Sequence, residues 1–233
     1  MQKYAFIAGI LFISVLSACK TSPPKPVMSE PIVYQVADLT VTLSYLGEEE
    51  LKSLYGRNDV REYVNPYYKY PGMITKQRLL VFNFEASTQE NQIEFKLNDI
   101  SLRIRNKGGD AKSQSYLNNI WSHYEQADLL NMEKIMRKTI LPREFTVTPE
   151  KAVSGYLVFG ENYPEDGGEG LITMFVSTPE GEEGKIEIPL QFSADGTVGE
   201  KQGEGIFSGN TETPNEKPYS ANLEINMAIP LGK

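Results

Sequence analysis

Residues 39–45 alternate apolar and polar side chains without a slip, with Leu39, Val41, Leu43 and Tyr45 set against Thr40, Thr42 and Ser44. A period of two gives a strand one apolar face, whereas on a helix it would scatter the same residues around the axis. The alternation returns at residues 93–97, 100–104 and 223–229, with Asn98-Asp99 as a candidate break between the first two. Short apolar runs at 79–84 (LLVFNF), 155–159 (GYLVF), 171–176 (LITMFV) and 186–192 (IEIPLQF), with Phe145-Thr146-Val147, complete about nine strands joined by turn-rich segments. Residues 106–110 (NKGGD) read as the turn closing the strand at 100–104. Pro189 lacks a ladder donor, which places its strand at an edge or a bulge. The expectation is a mainly β chain folded as an antiparallel β-sandwich.

Two segments depart from this pattern. Residues 48–55 (EEELKSLY) predict one or two helical turns ended by Gly56. Residues 113–140 carry Leu117, Ile120, Trp121 and Tyr124 at three- and four-residue spacing, and predict a longer helical stretch that Pro142 stops. A helical insertion over about 113–141 is therefore expected within a domain spanning 32–233. Residues 193–220, rich in Gly and polar side chains, read as a flexible loop before a final strand.

Composition narrows the function. The formal net charge is −8, which opposes a nucleic-acid role. His123 is the only imidazole and Cys19 the only thiol. A zinc site would need about three protein ligands, so carboxylates would have to supply nearly all of them. No Gly-x-Ser-x-Gly elbow is present, since Val153-Ser154-Gly155 lacks its first glycine, and no phosphate-cradling glycine loop follows a strand. Neither a catalytic residue, a cofactor nor a metal ligand is assigned, and the expectation is a protein that is not an enzyme.

The first residues, MQKYAFIAGILFISVLSAC, combine a basic start at Lys3, an apolar run over 4–16 and small residues before Cys19. The run is short for a membrane span, which takes about 20 apolar residues, and has the layout of a secretory signal. Leu16-Ser17-Ala18-Cys19 resembles the lipobox of bacterial lipoproteins. In that family the Cys thiol receives a diacylglyceryl group, the leader is cut before it, and the new amino terminus is often acylated, for example with palmitate. The resemblance implies a signal peptide at 1–18, lipidation at Cys19 and a membrane partner reached through the lipid. Lys20 stands where an Asp would imply inner-membrane retention, so the implied location is the cell envelope, at the outer membrane and facing the periplasm or the surface. Two or three acyl chains hold stably where one is marginal. Residues 19–31 then form a Pro-rich tether, with four prolines in the twelve residues after Cys19.

Residues 148–159 (TPEKAVSGYLVF) resemble a step in immunoglobulin-like accessory domains of bacterial envelope proteins, where a Pro-containing turn, a small residue and an apolar strand ending in Phe recur. The resemblance implies an immunoglobulin-like sandwich and no activity.

Tyrosine is the remaining anomaly: Tyr55, Tyr63, Tyr67, Tyr68 and Tyr70 fall within sixteen residues. Two readings stay open, a tyrosine-rich cover over one end of the sandwich or a partner-binding patch formed by Tyr63, Tyr67, Tyr68 and Tyr70. The expected function is non-catalytic binding or assembly at the envelope through an unidentified protein partner. Two rival readings use acidic residues. An envelope carbohydrate-active hydrolase would draw on Glu165 and Asp166. A calcium-stabilised adhesion module would draw on the acidic loops, Glu161, Glu165, Asp166 and Glu169 in one and Glu180, Glu182 and Glu183 in the other, which have suitable oxygen chemistry but no EF-hand spacing.

Overall fold

The computed structural model describes residues 29–59, 61–68 and 79–201. Cys19, the leader, most of the tether, Tyr70, residues 202–220 and the strand expected at 223–229 lie outside the described residues. The chain runs β1 (Ile32–Val36), β2 (Leu39–Leu46), α1 (Glu48–Tyr55), β3 (Leu80–Thr88), β4 (Ile93–Ile104) and β5 (Lys107–Asp110). It continues with α2 (Gln114–Trp121), α3 (Leu129–Thr139), β6 (Glu144–Val147), β7 (Val153–Phe159), β8 (Gly168–Ser177), β9 (Glu183–Phe192) and β10 (Val198–Glu200). One antiparallel sheet has the order β1-β2-β3-β7; the other has the order β10-β9-β8-β4-β5, with β6 also paired to β4. The protein is mainly β, and this pair of antiparallel sheets is consistent with a β-sandwich.

Strict alternation explains how the sheets meet. Leu39, Val41 and Leu43 of β2 and Phe82 and Phe84 of β3 point inward, toward Leu102 of β4, Ile172 of β8 and Ile188 of β9, all buried in one core. Phe95 and Phe145 stack at 5.0 Å, and Phe84 meets both edge-on. β3 and β7 read as continuous apolar runs because they are buried on two sides. Val81 and Val158 face away from the main core into a second one.

That second core is built by two segments distant in sequence. One is α1 with the loop that follows it; the other is α2 and α3. Leu51, Tyr63, Tyr67, Leu117, Trp121, Met132 and Met136 close over Val81 and Val158. The helical stretch expected over 113–140 is two helices rather than one. Ser113 Oγ accepts from Tyr116 N–H at the start of α2, and Asp128 Oδ1 accepts from Asn131 N–H at the start of α3. Such caps satisfy otherwise orphaned donors and fix where each helix begins. β7 passes close beneath this layer at Gly155, where an added Cβ would lie 3.0 Å from Leu141 Cδ2 and 3.1 Å from the Thr139 carbonyl oxygen.

Three further expectations are corrected. Asn98-Asp99 does not end a strand. β4 runs through it and shifts register against β8 between Phe95 and Ile100, while Leu97 N–H turns to the Arg143 carbonyl at 2.8 Å. Residues 107–110 are strand β5, and the reversal falls on Arg105-Asn106, with Arg105 at φ +54°. Residues 193–201, expected as flexible loop, form a turn and β10, whose Val198, Gly199 and Glu200 pair with Phe192, Gln191 and Leu190. Pro189 sits where β10 gives out: β10 pairs only Leu190–Phe192, so from Pro189 back to Glu183 β9 has no strand partner on that side among the described residues, and the edge placement holds there. Lys201 N–H donates to the Pro189 carbonyl at 3.3 Å, and proline has no N–H to return.

Candidate functional site

The tyrosine-bearing loop after α1 is organised by two buried asparagines. Asn58 Nδ2 donates to the carbonyls of Asn65 and Tyr68 at 2.9 and 3.0 Å, and its Oδ1 accepts from the N–H groups of Val64 and Asn65 at 2.8 Å each. Asn65 Nδ2 donates to the carbonyls of Leu51 and Gly56 at 2.8 and 2.9 Å, and its Oδ1 accepts from Tyr67 N–H at 3.0 Å. Both side chains are thus paired at donor and acceptor ends, as burial of an amide demands. Residue typing alone missed them. The available signal was two Asn residues flanking tyrosines in a non-periodic loop, where buried backbone groups need side-chain partners.

The loop is then pinned to the helices. Trp121 Nε1 donates to the Pro66 carbonyl at 3.0 Å. Tyr63 N–H donates to the Gln126 carbonyl and its own carbonyl accepts from Asp128 N–H, both at 2.9 Å. Thr139 Oγ1 donates to the Ile135 carbonyl, so the Tyr67 hydroxyl is the donor in its bond to Thr139 Oγ1. Tyr55 and Tyr156 join their hydroxyls at 2.8 Å. Burial pushes the Tyr67 phenol well above its ordinary range, against the lowering effect of Thr139 and with Tyr55 and Tyr156 adding to the rise. Burial also raises Tyr55, reinforced by its bond to Tyr156.

These contacts sort the four tyrosines expected as partner-binding. Tyr63 is 7% and Tyr67 1% exposed, so both are packing residues and neither can be a contact residue on the surface. The physical reason is the second core: each ring fills space between the two insertions. Tyr68 is half-buried at the rim, donating to Glu48 Oε1 at 3.0 Å with Lys52 Nζ 5.0 Å from its ring centroid. Burial opposes protonation of Lys52, but hydrogen bonds from its ammonium to Glu48 and Glu49 outweigh it and raise its pKa. Tyr70 lies outside the described residues.

Leucines extend the rim. Leu54 is 57% exposed on α1, while Leu129 is 41% and Leu130 83% exposed in the first turn of α3. The loop connects them: a Cβ on Gly56 would lie 3.3 Å from Val64 Cγ2, and Tyr63 bridges Ala127. Leu54 on α1 and Leu129 and Leu130 on α3 are thus apolar side chains left exposed on the same helical layer that carries Tyr68, Glu48 and Lys52.

The acidic residues fall in two places. The Glu161–Glu169 region precedes and opens β8, while Glu180, Glu182 and Glu183 follow its other end. Ten residues of strand separate the two groups by about 30 Å, so they cannot join in one calcium site. The first loop is fastened to the fold instead: Arg105 Nη2 donates to the Gly167 carbonyl at 2.8 Å, and the Tyr163 hydroxyl reaches the carbonyls of Ser193 and Thr197 at 2.6 and 2.8 Å. Among the described residues no group of three or more His, Cys, Asp and Glu is gathered to hold a metal ion. His123 is exposed, with Nδ1 against the Asn119 carbonyl at 2.6 Å. No helix among the described residues is long and apolar enough to cross a membrane. No protein-family model matches the chain, and no curated protein matches it.

Proposed function

We propose that this chain is a lipid-anchored lipoprotein of a bacterial envelope, with an immunoglobulin-like domain that binds a partner protein and catalyses no reaction. The observation that carries the reading is Leu16-Ser17-Ala18-Cys19 behind a basic start and an apolar run. Acylation at Cys19 gives stable anchoring, since two or three chains supply what one cannot, and Lys20 favours the outer membrane. The immunoglobulin-like assignment is supported by strand order. β2-β3-β7 opposite β9-β8-β4-β5 has the order A-B-E opposite G-F-C-C′ of that fold, with α1 and its loop inserted after A and α2 and α3 inserted after C′.

The binding surface in this reading is the rim of the helical layer, with Leu54, Leu129, Leu130 and Tyr68 as contact residues. Anchoring is tested by metabolic labelling with a palmitate analogue. The wild-type chain is expected to take up label and partition with membranes, and Cys19→Ala to lose both; a wild-type chain without label overturns the anchor. Partner binding is tested by in-cell crosslinking and mass spectrometry. A stoichiometric envelope protein captured by wild type and lost on Leu130→Asp supports the rim, and capture unchanged by Leu130→Asp and Tyr68→Ala removes it.

A further inference from the structure

The outer edge of β1 is the least guarded in the described sheets. Its hairpin with β2 has a two-residue turn at Ala37-Asp38, with Ala37 at φ +51°, that closes on the Val36–Leu39 pair. Hydrogen-bonded pairs alternate from there, so Ile32, Tyr34 and Val36 spend their backbone groups on β2 and those of Val33 and Gln35 point outward. The strand reads Ile-Val-Tyr-Gln-Val, with no charge, proline, glycine or bulge, and Val33 is 58% exposed. Among the described residues no strand pairs with that side.

Other edges carry the usual protection against pairing with another chain. β7 is covered where Lys112 N–H bonds the Val158 carbonyl at 2.7 Å and Leu141 N–H bonds the Tyr156 carbonyl at 3.3 Å. β5 and β6 have four residues each and β10 three. The stretch of β9 that β10 leaves unpaired carries Lys185, Glu187 and Pro189.

We propose that β1 pairs with β1 of a second copy of this chain, antiparallel about a two-fold axis at Tyr34. A second copy is the occupant because the edge fits itself. The axis sets Val33 of each copy opposite Gln35 of the other, and each such pair exchanges two hydrogen bonds, so every outward group of both strands is satisfied. Neighbouring axes fail: centred on Val33, Gln35 meets Pro31, which has no N–H, and centred on Gln35, Val33 meets Ala37 in the turn. Tyr34 meets its counterpart in a non-hydrogen-bonded pair, where Cα atoms approach to ~4.5 Å and side chains lie closest. The two half-buried rings then cover one another and continue the inner face beyond Ile32. A net charge of −8 opposes association of copies, yet the paired strands themselves carry no charge. Glu30 of each copy comes opposite Asp38 of the other just outside them, so the dimer is expected to tighten with added salt.

The full chain in detergent tests this by light scattering, which separates protein mass from micelle mass, and by hydrogen exchange at the Val33 and Gln35 amides. Wild type is expected at twice the chain mass, falling to one chain on dilution, with both amides losing roughly tenfold protection in step. Gln35→Pro removes one donor from each copy at an edge position that accepts proline, and is expected to be monomeric with Val33 unprotected. Val33→Lys with Gln35→Lys sets like charges opposite one another and is also expected to be monomeric. Val33→Glu with Gln35→Lys sets opposite charges there and is expected to keep the dimer. Trp121 fluorescence, which reports the second core, is expected to be unchanged in all three. A wild type that is one chain at every concentration overturns the proposal. So does a dimer that survives both Gln35→Pro and the Lys pair, or one that the Glu and Lys pair fails to keep. Protection that ignores concentration would assign the edge to another part of the same chain and also overturn it.

Discussion

Asn58 and Asn65 hold one another: Asn58 Nδ2 donates to the Asn65 carbonyl at 2.9 Å, and Asn65 N–H donates back to Asn58 Oδ1 at 2.8 Å. That exchange closes the loop between them, and Tyr63 on it lies buried. Asn58→Ala strands four backbone partners in a buried site. The expected loss is roughly 2–4 kcal/mol, the cost of unsatisfied buried groups where some recover water. Differential scanning calorimetry should show a fall of about 5–15 °C in Tm or a separate low-temperature transition of the helical layer. Asn58→Asp should do worse than its size suggests, because it replaces an amide donor to two carbonyls by an acceptor.

Asp38 fastens the β1–β2 turn to the β3–β4 turn. Its Oδ2 accepts from Thr88 Oγ1 at 2.7 Å, from the N–H groups of Glu90 and Asn91 at 3.1 and 2.9 Å, and from Asn91 Nδ2 at 3.1 Å. Burial pushes the carboxyl up, but these bonds outweigh it and bring the pKa down to about 2. A depressed carboxylate stabilises fully above its unfolded pKa near ~3.9 and loses that contribution as pH falls toward the folded value. The difference in Tm between wild type and Asp38→Asn should be constant from pH 7 to about pH 5 and shrink between about pH 4 and 2. A difference that stays flat through that window would remove the charge from the explanation.

Tyr67 supplies both shape and a hydrogen bond. Tyr67→Phe keeps the ring and should cost about 1 kcal/mol, while Tyr67→Ala opens a cavity and should cost about 3–5 kcal/mol. For a phenol the protonated form is neutral, so raised pKa values at Tyr67 and Tyr55 leave stability intact below the ordinary value near ~10 and erode it as pH climbs beyond. An ultraviolet titration should show these two rings resisting ionisation until alkaline unfolding. Their early, reversible ionisation in the folded chain would contradict their burial.

Gly155→Ala tests the seam between sheet and helical layer. The new methyl would meet Leu141, which has rotamers to try, and the Thr139 carbonyl, which is backbone and cannot yield cheaply. A loss of about 1–3 kcal/mol is expected from overpacking, read as a lower urea midpoint with little change in slope. Gly155→Ala as stable as wild type would mean that the layer rides on the sheet more loosely than these distances require.

Strands were legible where alternation is long. Residues 39–45 announce β2, and the doubly apolar run at 79–84 announces burial on both faces of β3. Legibility failed where partners decide. Asn98-Asp99 has the composition of a turn, yet β4 continues because Leu97 exchanges one partner for Arg143. Val198-Gly199-Glu200 is too short to carry a period and is a strand only because β9 offers it a ladder. The break between α2 and α3 was readable in principle, since Asp128 is a capping residue, but the apolar spacing of 113–140 masks it. The site was harder still. A tyrosine in a loop has no periodic face, so whether Tyr63 and Tyr67 turn inward depends on Trp121 and Met136, far along the chain. Nothing local to 61–72 records that meeting.

The second core makes the stability of this domain divisible. Strands β3 and β7 carry Phe82 and Leu157 on one side and Val81 and Val158 on the other, so the two apolar reservoirs share a wall but not their contents. The helical layer can therefore detach as a unit while the sheets stay paired, whereas loss of the sheets removes the wall on which the layer stands. Such one-way dependence makes the sheets the late-opening unit and the layer the early one. A ligand held on the rim would tighten the layer first, and its grip would be felt in the exchange of Leu117 and Met132 amides before those of Phe84 or Ile188.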